Sequence, residues 1–264
     1  MRLDFKITGL DKVQKILTQL SGAQAREAYA KGINDAAFQL RGNMQAQMRS
    51  AFDRPTPFIV RSPWIEQATP DNLQASIAPT YRRDTATTGG KIIVDPQKIL
   101  LAQEQGGQRR DKKSEVLLRR MGILPAGFQI AVPKTPFPGS VDSYGNFRGP
   151  FMQQLLSYFQ AFPELGYKAN MTAKRKAQIA RGTQRSAGRR YFLAYGKART
   201  QSHLRAGIWA AMGPGGVDVR PVVMFVRAGN YTPRISMSAL ANDPALQTYL
   251  ERRLRFRIRE AAGV

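Results

Sequence analysis

The chain has no cysteine and a single histidine, His203. Without thiols there can be no disulfide, no thiolate metal site and no cysteine nucleophile. One imidazole does not make a zinc site. It could serve as a general base, but no serine stands at a spacing that marks it as the partner. His203 reads instead as a solvated residue in the connection before AGIWAAM. Acids are scarce too: 18 against 41 basic residues in 264, a formal charge of +23. Asp4, Asp11, Glu27, Asp35 and Asp53 fall mostly on helical surface positions, not in the clusters that hold magnesium in nucleases. The GxxxxGK[ST] spacing of a P-loop is missing. Gly106-Gly107 therefore reads as a turn, with one phosphate on its N–H groups as the sharper alternative. No apolar run reaches the length of about 18 residues that a membrane span needs. The opening MRLDFKITGLDKV lacks the apolar stretch of a secretory signal. The expectation is a protein without catalytic residues, cofactor, metal or membrane insertion.

What the chain does have is enough apolar residues for a packed core, 42% of the total, and a large excess of positive charge. Such a surface attracts polyanions: nucleic acid, an anionic membrane or an acidic protein face. The excess is concentrated. Between Glu164 and Asp218 no acid occurs, while basic residues recur from Lys168 to Arg205. Solvated faces normally mix signs, so this interval points to an anionic partner. Arg109, Arg110, Lys174, Arg175, Lys176, Arg181, Arg185, Arg189 and Arg190 are the candidate contacts. No zinc-finger, RNA-recognition or helix-turn-helix pattern accompanies them. The expected contact is with phosphate backbone or an acidic protein surface, sensitive to salt and blind to sequence. Residues 168–190 hold few apolar side chains to offset backbone entropy. They are expected to be poorly ordered or extended until that partner binds.

Periodicity predicts an α+β fold. Leu3, Phe5 and Ile7 alternate as a strand, and a capped helix follows from Thr8 to Leu20. The longest helix spans about 24–52, with Tyr29, Ile33, Ala36, Ala37, Leu40, Met44 and Met48 on one face. Gly32 and Gly42 inside it are expected to admit another backbone, with a hinge as the alternative. Strands are expected at Leu73–Tyr81 and Lys91–Val94. Two short helices, from Lys112 and from Pro150, flank a crossing rich in proline and glycine. YFLAYGK, AGIWAAM and VVMFVRAG read as a strand meander, and Pro221 suits a strand start or an edge. At 244–261, Leu246, Leu250, Leu254 and Ile258 argue helix, while RLRFRIR alternates like a strand; capping and length favour helix. The architecture expected is a core of N-terminal helices and a C-terminal helix on an antiparallel sheet, built from 1–99 and 186–264. Residues 100–185 form the long Pro/Gly-rich insertion. Phe128, Phe137, Tyr144 and Phe147 along that insertion are candidates for packing on a neighbouring subunit.

Three segments carry a resemblance: RPTPFIVRSPWIEQATPDNLQASI at 54–77, GGQRRDKKSEVLLRRMGILPAG at 106–127 and DSYGNFRGPFMQQLLSYF at 142–159. They resemble a family of tailed-bacteriophage virion proteins related to tail-completion or neck proteins of the minor-tail-protein Z type. The resemblance covers roughly residues 1–160 in pieces and weakens toward the C-terminus. It implies a structural virion protein of the tail or neck, at the head-tail joint, assembled in the host cytoplasm. It also implies a homo-oligomeric ring, taken as six or twelve copies, that meets other neck or tail proteins and packaged DNA. A free, sequence-independent nucleic-acid-binding protein is the alternative that the charge alone would allow.

Overall fold

The computed structural model describes residues 22–80, 95–162, 169–183, 186–196 and 202–263, with short strand pieces at 3–4, 87–88 and 91–92. The expected helix from Thr8 to Leu20 lies outside the described residues, as does Arg185. The fold is α+β, with helices at both ends of the described chain and antiparallel sheets between. It divides into two units, 1–109 with 230–264, and 110–229.

The first unit is built on α1, Gly22–Ala51, whose buried stripe runs from Ala28 through Ile33, Leu40 and Met44 to Met48. A short helix α2, Pro57–Val60, leads into β2, Pro63–Glu66. With β1, Leu3–Asp4, and β3, Ser76–Pro79, β2 forms an antiparallel sheet in the order β1-β3-β2. Asn34 on α1 fixes the chain after β2 by a two-way clasp. Its Nδ2 donates to Ala68 O at 2.9 Å and its Oδ1 accepts from Ala68 N at 2.8 Å. A two-residue hairpin, β4 at Thr87–Thr88 and β5 at Lys91–Ile92, precedes α3, Pro96–Gln105.

The C-terminal helix, Pro244–Ala262, is the other large element of this unit. Asp243 caps it by accepting from Ala245 N at 2.9 Å, and Pro244 occupies its first turn. The Leu246, Leu250, Leu254 and Ile258 stripe is buried and Phe256 is exposed, so the helical period prevails over the alternating RLRFRIR pattern. Ala28 packs with Ile258, and Gly32 lies against Leu254; the helix therefore runs antiparallel to α1. Gly32 does admit a close neighbour, whereas Gly42 is exposed and a Cβ there would meet no described atom within 4 Å beyond its chain neighbours and its own helix backbone. The backbone-approach reading holds for the first glycine and fails for the second.

Gly106 and Gly107, both at positive φ, end α3. Gly106 N–H donates to Ala102 O at 3.1 Å, and Gly107 exchanges hydrogen bonds with Tyr231 at 3.1 and 2.7 Å. Both amides are thus engaged, and the turn reading replaces the phosphate one. The same pairing clips together the two strands of chain by which the first unit is left and re-entered.

The second unit carries a four-stranded antiparallel sheet in the order β6-β11-β10-β9. Its strands are β6, Phe128–Ala131; β9, Arg189–Ala194; β10, Gly207–Met212; and β11, Asp218–Arg227. The meander expected from Tyr191 onward is there, but it belongs with the insertion and not with the first unit. The expected division, 1–99 and 186–264 around 100–185, is corrected accordingly. The reason is β6, a four-residue edge strand hidden between prolines, which pairs Phe128–Ala131 with Met224–Arg227. Pro221 lies in β11 before that pairing begins, next to the bulge that leaves Val222 without an opposite residue in β10, where no partner on the β6 side needs its missing N–H.

Helix α4, Lys113–Arg120, and helix α5, Gly149–Tyr158, contribute to this unit's apolar core. Gly122 takes the left-handed conformation after α4, with φ +68. Glu115 is fully buried in α4. Its carboxylate accepts from Lys112 N at 2.6 Å, the reach-back half of a capping box, and from Ile130 N at 2.8 Å, fastening the helix to β6. The turn before α5 is held by Asp142, whose Oδ1 accepts from Tyr144 N and Asn146 N at 2.9 Å each.

Candidate anion-facing surface

The first part of the acid-free interval folds as helix α6, Ala173–Arg181, followed by two short paired strands, β7 Gly182–Thr183 and β8 Ser186–Ala187. Thr172 caps the helix by accepting from Arg175 N at 3.3 Å. Ala, Lys, Arg and Gln are good helix formers, which the apolar count alone overlooks. Polar bonds moor its start to α5. Met171 N–H donates to Ser157 O at 3.0 Å, Ser157 Oγ to Ala169 O at 2.7 Å, and Gln160 Nε2 to Met171 O at 2.8 Å. Its other end is moored by a close approach: a Cβ on Gly188 would lie 2.2 Å from Ala180 O. No residue of α6 is fully buried, so hydrogen bonds and that contact set its position more than apolar burial does.

Beneath α6 runs a row of aromatic rings. Phe137 stands 6.1 Å from Phe151 and 6.4 Å from Tyr191, and Tyr191 meets Tyr158 edge-on at 5.1 Å. Two cations rest on it. Lys176 Nζ lies 5.1 Å from the Tyr158 centroid, and the Arg189 guanidinium lies 6.0 Å from Phe137 and 5.8 Å from Tyr191. Such contacts contribute about 0.5–2 kcal/mol each. Burial raises the Tyr191 phenol above its ordinary pKa, outweighing the opposite pull of Arg189.

The predicted cationic residues thus separate into groups. Lys174, Arg175, Arg181 and Arg190 are exposed, whereas Lys176 and Arg189 are half-buried on rings. Arg109 is half-buried and Arg110 exposed on the segment where the chain passes from one unit to the other. Neither lines the pocket described next. Arg175 and Arg189 do come together, on an open pocket of about 190 Å³ that Gln154, Gln178 and Thr183 also line. Among the described residues no acid lines it. Arg175 Nη1 donates to Gln178 Oε1 at 3.2 Å, which holds the guanidinium along the helix. Sequence reasoning missed Gln154, Gln178 and Thr183. They belong to no motif, and only the three-residue step from Arg175 to Gln178 hinted at a shared helix face.

The expected interface aromatics also separate. Phe137 is 4% exposed, inside its own unit's core. It is therefore corrected from subunit contact to core residue, because the proline-rich crossing folds back over α5 and β9. Phe128 and Phe147 are half-buried against the same core. Only Tyr144, 37% exposed on the Asp142 turn, remains presented to solvent. His203 is exposed in the turn before β10.

Comparison of the chain with protein-family models, curated proteins and solved structures gives no match. Among the described residues no group of three or more His, Asp or Glu is placed to hold a metal ion, and no helix is long and apolar enough to cross a membrane.

Proposed function

We propose that this chain is a structural virion protein of a tailed phage, a ring-forming tail-completion or neck component without catalytic activity. On this reading its basic face meets an acidic neighbour or the packaged DNA. The observation that carries it is the one-signed surface of the stretch around α6. Lys174, Arg175, Arg181 and Arg190 are exposed together on a folded segment that contains no acid. The resembling segments add support, since they form cooperating parts of the units and not isolated stretches. Residues 106–127 supply α4 and its caps, 142–159 supply the Asp142 turn and α5, and 54–77 supply α2, β2 and the first half of β3.

The test is the solution mass of the purified chain, alone and with head or tail proteins of a tailed phage, followed by reconstruction of particles containing it. The reading expects a ring, or assembly that appears only with those partners. A monomer that binds duplex DNA tightly and never enters particles would favour the second reading, a sequence-independent nucleic-acid-binding protein. That reading draws on the same exposed cations, whose contacts with phosphates would weaken steeply with salt.

A further inference from the structure

The pocket beside α6 differs from the rest of the basic surface because it gathers two arginines and two further polar side chains around one half-open hollow. Arg189 is drawn inward over Phe137 and Tyr191, and Arg175 is oriented by Gln178. Gln154, Ile179, Gly182 and Thr183 line it as well, and among the described residues no carboxylate does. At about 190 Å³ the pocket is smaller than the roughly 300 Å³ at which sites for whole small molecules begin. It suits one anionic group carried on a slender stem. Guanidinium forks match a carboxylate in two parallel hydrogen bonds, the strongest neutralising geometry available to a side chain. Duplex DNA presents its phosphates along a wide ridge, which fits an open basic face better than a recess.

We propose that this pocket is a docking site for a single Asp or Glu side chain of an acidic segment in a partner protein, held by Arg175 and Arg189 with Gln154 and Thr183 completing its hydrogen bonds. The inference rests on the reading of this face as one that meets an acidic neighbour, and it selects protein over DNA as the occupant. It also separates two kinds of cation on this surface. Arg175 and Arg189 recognise, while Lys174, Arg181 and Arg190 attract at long range and are readily screened.

The experiment measures binding of a short glutamate-rich peptide to the full chain by calorimetry, with random-sequence duplex DNA as competitor. Arg175→Gln is compared with Arg190→Gln, which removes equal charge from another exposed position. Gln154→Ala and Thr183→Val alter the pocket without changing charge. The expected result is a loss of about tenfold for Arg175→Gln, against about twofold for Arg190→Gln. Both neutral variants should weaken the peptide severalfold. Equal losses at Arg175 and Arg190, no loss in the neutral variants, or no binding by the unaltered chain would each overturn the proposal. So would DNA binding that depends on the pocket variants as strongly as peptide binding does. Incorporation into particles is scored separately: an Arg175→Gln chain that assembles normally without peptide affinity would remove the pocket's role and leave the virion reading standing.

Discussion

A methyl group on Gly32 would lie 2.7 Å from Leu254 Cδ2 and 3.3 Å from Leu254 Cα. The first contact is with the end of a movable side chain, the second with the backbone of the facing helix. Gly32→Ala gains about 1 kcal/mol of helix propensity but must push Leu254 aside in a full core. Gly32→Val adds two more carbons and should destabilise by about 2 kcal/mol. Gly42 is the internal control. A Cβ there would meet no described atom within 4 Å beyond its chain neighbours and its own helix backbone, so Gly42→Ala should stabilise by about 0.5–1 kcal/mol. Urea unfolding followed by circular dichroism reads both. Equal effects at the two glycines would refute the close-approach account.

Asp35 gives the same helix pair a pH dependence. Its carboxylate accepts from Arg253 Nε at 2.9 Å and from Arg257 Nε and Nη2 at 2.8 and 3.0 Å. Burial raises its pKa, but the hydrogen bonds and charges of Arg257 and Arg253 outweigh that and hold it below the usual carboxylate range. A folded pKa below the unfolded one means that the unfolded chain binds the proton more readily. The stabilisation is therefore complete above the unfolded value of about 4 and is lost as pH falls through the lower folded value. Asp35→Asn should cost about 1 kcal/mol at pH 7, kept small because solvent reaches the cluster. The gap between variant and parent should narrow below about pH 4. A gap constant from pH 7 to pH 3 would assign the effect to packing.

Glu115 joins α4 to β6 through two backbone amides and is fully buried. Glu115→Ala leaves the buried Ile130 N–H and the part-buried Lys112 N–H without this acceptor and should destabilise the second unit by about 2–4 kcal/mol. Glu115→Gln keeps one acceptor oxygen and should fall between. Hydrogen exchange at the Ile130 amide is the local reporter. Protection there unchanged by Glu115→Ala would show that the bond contributes nothing.

Gly188 decides where α6 rests. A Cβ 2.2 Å from Ala180 O cannot be relieved by rotating a side chain. Gly188→Ala should therefore lift the helix end away from β9 and pull Arg175 from Arg189, while the sheet stays intact. Nitrogen-15 NMR would show shifts concentrated at 173–189 with the β10 and β11 amides nearly unmoved. Shifts spread over the whole unit would mean that α6 is an integral part of the core.

The legibility of the sequence follows the range of the interaction. Caps, helix stripes and turns are local, and Asp243, Pro244, Gly122 and Asp142 all announce themselves within five residues. The division of the chain did not announce itself. It depends on Phe128–Ala131 pairing with Met224–Arg227 across nearly the whole second unit, and a four-residue strand between prolines carries almost no periodic signal. The charged interval misled in a different way. Its low apolar content argued against order, yet Thr172, Ser157 and Gln160 supply the mooring through polar bonds that composition cannot reveal. Arg175 and Arg189 were legible as cations, while the pocket they share depends on a glycine three-dimensionally opposite a carbonyl.

The burial of Phe137 changes how ring assembly through the proline-rich crossing is tested. Removing residues 134–147 would take Phe137 out of the core along with any interface, so loss of assembly would be uninformative. Point changes separate the two. Phe137→Ala should cost about 3–5 kcal/mol, the usual penalty for emptying an aromatic core position, and should lower assembly only by unfolding the unit. Tyr144 is exposed on a turn fixed by Asp142 and by Gly145 at φ +79, so Tyr144→Ser should shift stability by less than about 0.5 kcal/mol. If this turn packs on a neighbouring copy, Tyr144→Ser should weaken the ring by about tenfold in its assembly midpoint with the unfolding midpoint unmoved, since exposed aromatics at interface centres carry a disproportionate share of binding energy. Sedimentation velocity across a concentration series reads the first quantity and thermal unfolding the second. Unchanged assembly in Tyr144→Ser would place the subunit contact elsewhere and leave the crossing as a structure internal to its own unit.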